Sequence, residues 1–521
     1  MQRLRRFSSG FVDFFFIPFV LVSFLGSLTL ILSNFQGLSS TGIKVVAIVF
    51  FGMMCYTVCA PIRQYMNRVF KRLLKIINEH RTAFLAGLIV VTLLWQVAVV
   101  FLVSGRSIWD PDIITKTAMR DLSSGMAPDY FSVNPNTLLL LFLEHGLWLI
   151  SGRLEFENFI IFLNLVNVFL IDSAVLMVGR VAGHWFGKTS KKILLMTSWG
   201  LMVMSPWVAL PYSDTWAFFV TALGLFLGDC LLRNKMISRK YLFAVSLGLL
   251  IIFGYYLKPS LVITVFAAVI VLSFIVFENA KIIFKRTVWI GLCWMLLGAG
   301  IGVTAYQITL NRQNLVTFTA GKAHPLWHFM AMGMQGNGAF YEPDVVMDTH
   351  IKSPVARKKA NLKLVHERFK AFHGLTNYEK FLVQKQISNT ADGSFSWGQD
   401  GTFIITNHAD SARLNNTLIR RLFAKNGIVQ VNNFEYRFIV QLIWCGVLFM
   451  LLFTIGVDDW KVQFLKYGMV GFMLFLLLFE GGRSRYLIQF LPLTLLLGSI
   501  GGKRLLLEVK KLSLSKNIQK F

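Results

Sequence analysis

Acidic residues are scarce in this chain: 26 Asp and Glu stand against 52 Lys and Arg over 521 residues. Cysteine is scarcer. The five, Cys55, Cys59, Cys230, Cys293 and Cys445, all fall inside apolar runs and share no metal-ligand spacing with histidine, which argues against a disulfide framework or a cysteine zinc site. Internal repeats, low-complexity tracts and Gly-Ser linkers are missing as well, so an inverted-repeat transporter gains no support.

Apolar residues are what the chain has in abundance. Hydrophobic side chains make up 55% of it, in runs longer than a bilayer crossing requires, and the expected class is an all-α polytopic membrane protein. The formal charge of +26 is spread over short loops beside those runs, the ordinary positive-inside pattern, so no nucleic-acid partner is expected. The opening "MQRLRRFSSGFVDFFFIPFVLVSFLGSLTLIL" has the basic head of a signal peptide, but its apolar run is too long and no clear small-residue cleavage site follows. It reads as a retained first helix.

Length and apolarity predict twelve spans, at about 11–33, 42–60, 83–103, 157–180, 193–209, 214–232, 241–257, 259–277, 287–308, 436–456, 462–480 and 486–502. The stretch "TLLLLFLEHGLWLIS" at 137–151 is shorter and carries Glu144 and His145. Reading it as a re-entrant or surface helix keeps the N-terminal arginines, Arg63 to Arg81, "GKTSKK", "RNKMISRK", "KIIFKR" and the tail on one side, the cytoplasm. The chain then divides into two extra N-terminal helices with a basic cytoplasmic loop (1–82), a membrane core (83–308) holding an outer loop at 104–156, a long extracytoplasmic loop domain (309–435), and C-terminal helices with a basic tail (436–521). Both termini are expected in the cytoplasm of a plasma-membrane protein. The charged, helix-like section 353–388 is equally compatible with lying on the outer membrane face or packing within the loop domain.

The outer loop gathers Asp110, Asp112, Asp121 and Asp129 in an acid-poor chain. Carboxylates beside a membrane are costly unless solvated or paired, so such a cluster tends to mark function. Asp110, a few residues beyond the third span, is placed to act as general base on an acceptor hydroxyl, with Asp112 in reserve. Capping of the helix after "WDPD" explains the same spacing equally well.

"WDPDIITKTAMRDLSSGMAPDYFSVNPNTLLLLFLEHGLWLI" resembles the first outer loop of polyprenyl-phosphate-dependent GT-C glycosyltransferases, the superfamily that includes the protein O-mannosyltransferases, in its Gram-positive forms. "MVGRVAGHWFGKTSKK", "LPYSDTWAFFV" and "EGGRSRYLIQFLPLTLLLGS" are similar to later elements of that family. The resemblance implies an inverting transferase of the cell envelope that moves a sugar from a polyprenyl-phosphate donor to an extracytoplasmic glycan, protein or wall polymer. It implies Asp110 as the catalytic carboxylate and Asp214 on the same face, with Tyr130 and Asn134 in the substrate loop. "SVNPNTL" departs from the family's Tyr-Pro-Asn-Asn form.

A lipid phosphate needs cations at the outer headgroup level, and Arg485, Arg483 and Lys258 fall there, where topology does not favour positive charge. Gly481 and Gly482 beside the arginines would leave room for a ligand. Tyr256 and Tyr486 lie near these charges and are candidates for contacting phosphate or a sugar hydroxyl, although interfacial anchoring accounts for tyrosines at this level better. In the long loop Trp327, His328 and Trp397 are candidates for contacting sugar. His324 and His328 have the i, i+4 spacing of metal ligands, but no Glu accompanies them and Pro325 follows the first, so no metal site is assigned. A divalent cation, Mg²⁺ or Mn²⁺, is compatible with the carboxylates, but no cofactor is assigned. The alternative function is transport or flipping of a lipid-linked glycan; acids concentrated at the outer ends of spans, with Asp172 an intramembrane exception, favour surface catalysis.

Overall fold

A computed structural model describes residues 2–121, 127–399, 403–429 and 434–518. Four helices open it: α1 (Gln2–Gln36), α2 (Ser40–Val58), α3 (Ala60–Glu79) and α4 (Arg81–Val103). The Ser39 hydroxyl caps α2 by accepting from the Gly42 N–H, and Pro61 in the first turn of α3 takes a position where its missing N–H costs nothing. α2 and α3 contribute no buried residue, and α2 faces outward with apolar side chains that suit lipid.

The loop at 104–156 follows as β1 (Gly105–Ser107), α5 (Asp110–Ala118), α6 (Ala127–Val133) and α7 (Leu138–Ile150). α7 has only 13 residues, about 20 Å, too short to cross. It packs on α5 instead, with buried Glu144 accepting from the Thr115 hydroxyl at 2.8 Å.

The centre of the bundle is α8 (Phe156–Phe186), α9 (Lys188–Ser198), α10 (Ser213–Arg233), α11 (Ile237–Leu257), α12 (Val262–Glu278) and α13 (Arg286–Arg312). Among the described residues eleven helices are long and apolar enough to span a membrane. The expected helix at 193–209 is interrupted: α9 gives way to a π-helical turn at Trp199–Val203 and a 3₁₀ turn at Pro206–Ala209. The segment still runs the height of the bundle. It leaves α8 where His184 Nδ1 meets Asp229 Oδ2 near the end of α10, at 2.6 Å, and arrives at the start of α10. Proline without an N–H, and Ser205 accepting from the Trp207 N–H, explain why regular helix stops there.

The long loop holds α14 (Leu326–Met332), α15 (Glu342–His350), α16 (Pro354–Ala371), α17 (Leu375–Thr390), β2 (Ile404–Thr406), α18 (Ala412–Asn415) and α19 (Leu418–Phe423). Within 353–388, α17 packs into the bundle, while α16 keeps Val355, Leu362 and Phe369 exposed. α17 lies against α1, where Ser23 Oγ and Thr390 Oγ1 are 2.6 Å apart, and against the helix Trp460–Leu478, with Lys385, Gln386 and Asn389 buried. β2 pairs antiparallel with β1, Gly105 opposite Thr406, which stitches the two loops together. Gly105 has no room for a side chain there because the Ile405 carbonyl occupies the position.

α20 (Phe434–Leu452), α21 (Trp460–Leu478) and α22 (Leu491–Ile518) complete the bundle. Their buried side chains, Trp444, Phe472, Leu491, Leu493 and Leu497 among them, form one core with those of α8 and α10. Lys466 of α21 is buried against Asp13 of α1 at 2.5 Å, a paired charge inside the apolar bundle.

Candidate functional site

One end of the bundle collects the beginning of α10, the end of α11, the turn before α22 and the loop after α4. Each brings a charge. Asp110 is the first residue of α5, and the Tyr212 hydroxyl donates to its Oδ2 at 3.0 Å, drawing the carboxylate across the loop rather than onto its own first turn. Burial, then the negative charge of Asp110, pushes the phenols of Tyr130 and Tyr212 well above their ordinary range, so both stay protonated donors beside the carboxylate.

Asp214, in the first turn of α10, is fully buried. Its Oδ1 is paired with the Lys258 ammonium and its Oδ2 lies 3.4 Å from Arg485 Nε. The partial positive charge of the α10 N-terminus adds to the attraction of the two cations for the carboxylate. Lys258 follows α11 in an extended conformation; burial pushes its amine down, and Asp214 opposes that shift. The Arg485 guanidinium stands over two rings, Tyr212 at 5.3 Å and Tyr486 at 5.5 Å, and the Lys258 ammonium stands over Tyr486 at 5.2 Å. Tyr212 therefore joins the two halves of the site: its hydroxyl holds Asp110 and its face meets Arg485.

Asp112 is not part of this arrangement. Its Oδ2 takes Arg106 at 3.1 Å and Lys116 at 3.2 Å, so two cations already occupy the reserve carboxylate in the role of loop brace. Arg483 is 3.7 Å from Glu480, which also accepts from the Tyr486 hydroxyl at 3.2 Å. Glu480 thus draws Arg483 away from Arg485's partner. The glycines beside these arginines do not leave a gap for a ligand: an added Cβ would meet the Leu476 carbonyl at 2.6 Å from Gly481 and the Ala339 nitrogen at 2.8 Å from Gly482. The long loop fills that space, and Gly482 adopts φ +68, a conformation open to glycine.

Other expected contacts are spread apart. Tyr256 stacks on Tyr306 with ring centroids 3.7 Å apart. The Asn134 amide donates to the Tyr130 carbonyl at 3.3 Å, finishing α6. Trp327 is half-buried on α14. Trp397 is a correction: it is 1% exposed, donates to the Phe423 carbonyl at 3.2 Å and packs edge-on against Trp207, so no sugar ring reaches its face. His328 is likewise 1% exposed and faces Asp348, out of reach of a sugar. The turn at 392–397 serves packing too, with Asp392 accepting from Ser394, Ser396 and Ser484. Sequence reasoning missed Tyr212 and Glu480, although both stand in quoted motifs within a few residues of Asp214 and Arg485.

A family model described as a conserved hypothetical integral membrane protein matches residues 4–504. The chain belongs to that family. The match runs through both outer-loop segments as well as the helices, so this integral membrane protein carries its charged cluster within the matched region. No curated protein and no solved structure matches the chain.

Proposed function

We propose that this integral membrane protein is a GT-C-like glycosyltransferase that moves a sugar from a polyprenyl-phosphate donor to an acceptor outside the cell. The observation that carries the reading is Tyr212, which sets a carboxylate, Asp110, and a paired cation, Arg485, on its two sides. Asp110 acts as general base on the acceptor hydroxyl; the new glycosidic bond forms as the sugar–phosphate bond breaks, with inversion at the sugar carbon. Arg485 and Lys258 stabilise the negative charge that develops on the departing phosphate. Asp214 holds both cations in position, and because it and Asp112 each already face two cations, neither suits a further divalent ion.

The basic loops lie at the end of the bundle opposite the site, where Lys503 donates to the Phe186 carbonyl at 2.8 Å and Arg5 meets Asp458 at 2.9 Å. The positive-inside rule then directs the site outward, into the plasma membrane's outer leaflet. The test is transfer of radiolabelled sugar from synthetic polyprenyl-phosphate donors by the purified protein in lipid, wild type beside Asp110→Asn. Transfer by wild type alone supports the reading. Label carried across the bilayer without transfer would replace it with lipid-linked glycan transport.

A further inference from the structure

The loop domain contains a second cluster of chemistry-bearing side chains that the transfer reading leaves unused. His324 precedes α14, His328 lies in its first turn, and the two rings stack face to face with centroids 4.0 Å apart and planes 7° from parallel. The sequence offered no third ligand nearby. The fold supplies one from α15: Asp348 Oδ2 lies 3.1 Å from His324 Nδ1 and 3.0 Å from His328 Nδ1. One donor atom from each of the three side chains falls within 4.8 Å of the others.

Hydrogen bonding alone leaves this cluster incomplete. His324 Nδ1 is hydrogen-bonded to Asp348 Oδ2, whereas His328 Nδ1 meets the same oxygen at 3.0 Å as an ion pair outside the angles of a regular hydrogen bond. A buried ring nitrogen without a regular hydrogen bond is costly unless something else satisfies it. A metal ion would. Tetrahedral zinc with bonds of about 2.0–2.1 Å holds its ligand atoms roughly 3.3 Å apart, against 3.1 and 3.0 Å from Asp348 Oδ2 to the two imidazole nitrogens, and a tilt of the stacked rings would aim both lone pairs at one ion.

We propose that His324, His328 and Asp348 bind a divalent transition-metal ion, zinc by preference, as a structural site of the loop domain. Two imidazoles and one carboxylate suit a borderline ion better than Mg²⁺ or Ca²⁺, which take oxygen ligands. The supporting layer is in place. Asn361 of α16 donates to the other oxygen of Asp348 at 2.6 Å, fixing the carboxylate as outer partners of metal ligands do. The Asn361 amide oxygen, buried and without a hydrogen-bond partner, or a water supplies the fourth ligand. Arg357, the nearest cation, is turned away from the cluster to the carbonyls of Gly321 and Lys322.

The placement gives the ion a task. The His324 backbone N–H donates to the Val133 carbonyl at 3.4 Å and Lys322 meets Asp129 at 2.7 Å, so the cluster joins three elements of the long loop beside the segment that carries Tyr130. Metal binding there would fasten the long loop to the outer loop of the site. This inference stands independently of the transferase reading.

The test uses the full-length, tag-free protein in lipid nanodiscs. Metal content is measured by mass spectrometry after zinc loading and washing, and thermal unfolding is followed before and after chelation. Wild type should retain about one zinc per chain, lose thermal stability on chelation and regain it with Zn²⁺ but not Mg²⁺. His328→Gln and Asp348→Asn should each retain less than a tenth of that zinc and unfold independently of chelator. If a variant fails to fold, the wild-type chelation and reloading series decides alone. Less than a tenth of an equivalent in wild type, chelator-insensitive unfolding, or equal zinc in folded wild type and His328→Gln would overturn the proposal.

Discussion

Tyr212 donates to Asp110 Oδ2 at 3.0 Å while the opposite part of the same side chain, its ring, lies 5.3 Å from the Arg485 guanidinium. A carboxylate and a guanidinium, the proton acceptor and the phosphate-binding cation of the proposed reaction, are thereby held at a fixed separation by one rigid aromatic. If Asp110 is the base, Asp110→Asn removes the acceptor with little change of volume, and transfer should fall by about 10²–10⁴-fold while donor binding persists. Tyr212→Phe keeps the ring under Arg485 but loses a hydrogen bond to a charged group, worth about 1.5–3 kcal/mol, so turnover should drop roughly ten- to hundredfold with donor affinity nearly unchanged. Steady-state kinetics with a soluble acceptor separate the two. Full activity in Asp110→Asn would remove the base assignment.

Arg485 is expected to act through the donor. Loss of a charge-assisted bond to phosphate in Arg485→Ala should weaken donor binding by roughly ten- to hundredfold as well as slow turnover. Arg485→Lys should recover only part of it, because an ammonium cannot stack on Tyr212 and Tyr486 as the planar guanidinium does. Direct binding of a fluorescent polyprenyl phosphate checks this. An unchanged dissociation constant in a well-folded Arg485→Ala would exclude the phosphate role.

Much of this cluster was legible because hydropathy fixes where spans end, and charges at span ends stand out: Asp110, Lys258 and Arg485 stood out that way, and Asp214 through the resemblance of its motif. The segment 193–209 was expected as one regular helix and is broken for a physical reason, since apolarity does not report that Ser205 and Pro206 interrupt it. Pairing was less visible still. Nothing in the spacing tells that Arg106 and Lys116 converge on Asp112, or that Glu480 takes Arg483, because these partners are set by how loops fold over one another. Asp348 shows the limit most clearly: it reaches His324 from a separate helix, with no periodic or motif signal joining them.

Trp397 offers a direct check on the division between site and core. Its ring is packed against Trp207 and its N–H is bonded to the Phe423 carbonyl, so Trp397→Ala should destabilise the folded protein by about 3–5 kcal/mol. Thermal unfolding in detergent would show a large fall in midpoint, whereas the donor and acceptor affinities of the folded fraction should be unaltered. A stable Trp397→Ala protein with weakened acceptor binding would return this residue to the sugar site.

Lys385 makes the stability of the loop domain depend on pH. Its ammonium is fully buried in α17 and donates to the carbonyls of Gly333 at 2.6 Å, Phe479 at 2.7 Å and Leu477 at 3.0 Å, tying the long loop to the end of α21 beside Glu480. Burial pushes its pKa down to about 7, with the Glu480 charge opposing the shift. In the unfolded chain a lysine keeps its proton to about 10.4. Between about pH 7 and pH 10 the unfolded state therefore binds more protons than the folded state, and stability should rise with pH across that window, by at most about 1.4 kcal/mol per unit; the cost is fully present below pH 7. Thermal midpoints of wild type should climb from pH 7 to pH 9 relative to those of Lys385→Gln, which should be lower overall because the three carbonyls lose their shared donor. Parallel pH profiles for the two proteins would mean that the lysine keeps its proton in the fold, held there by the three carbonyls against the cost of burial.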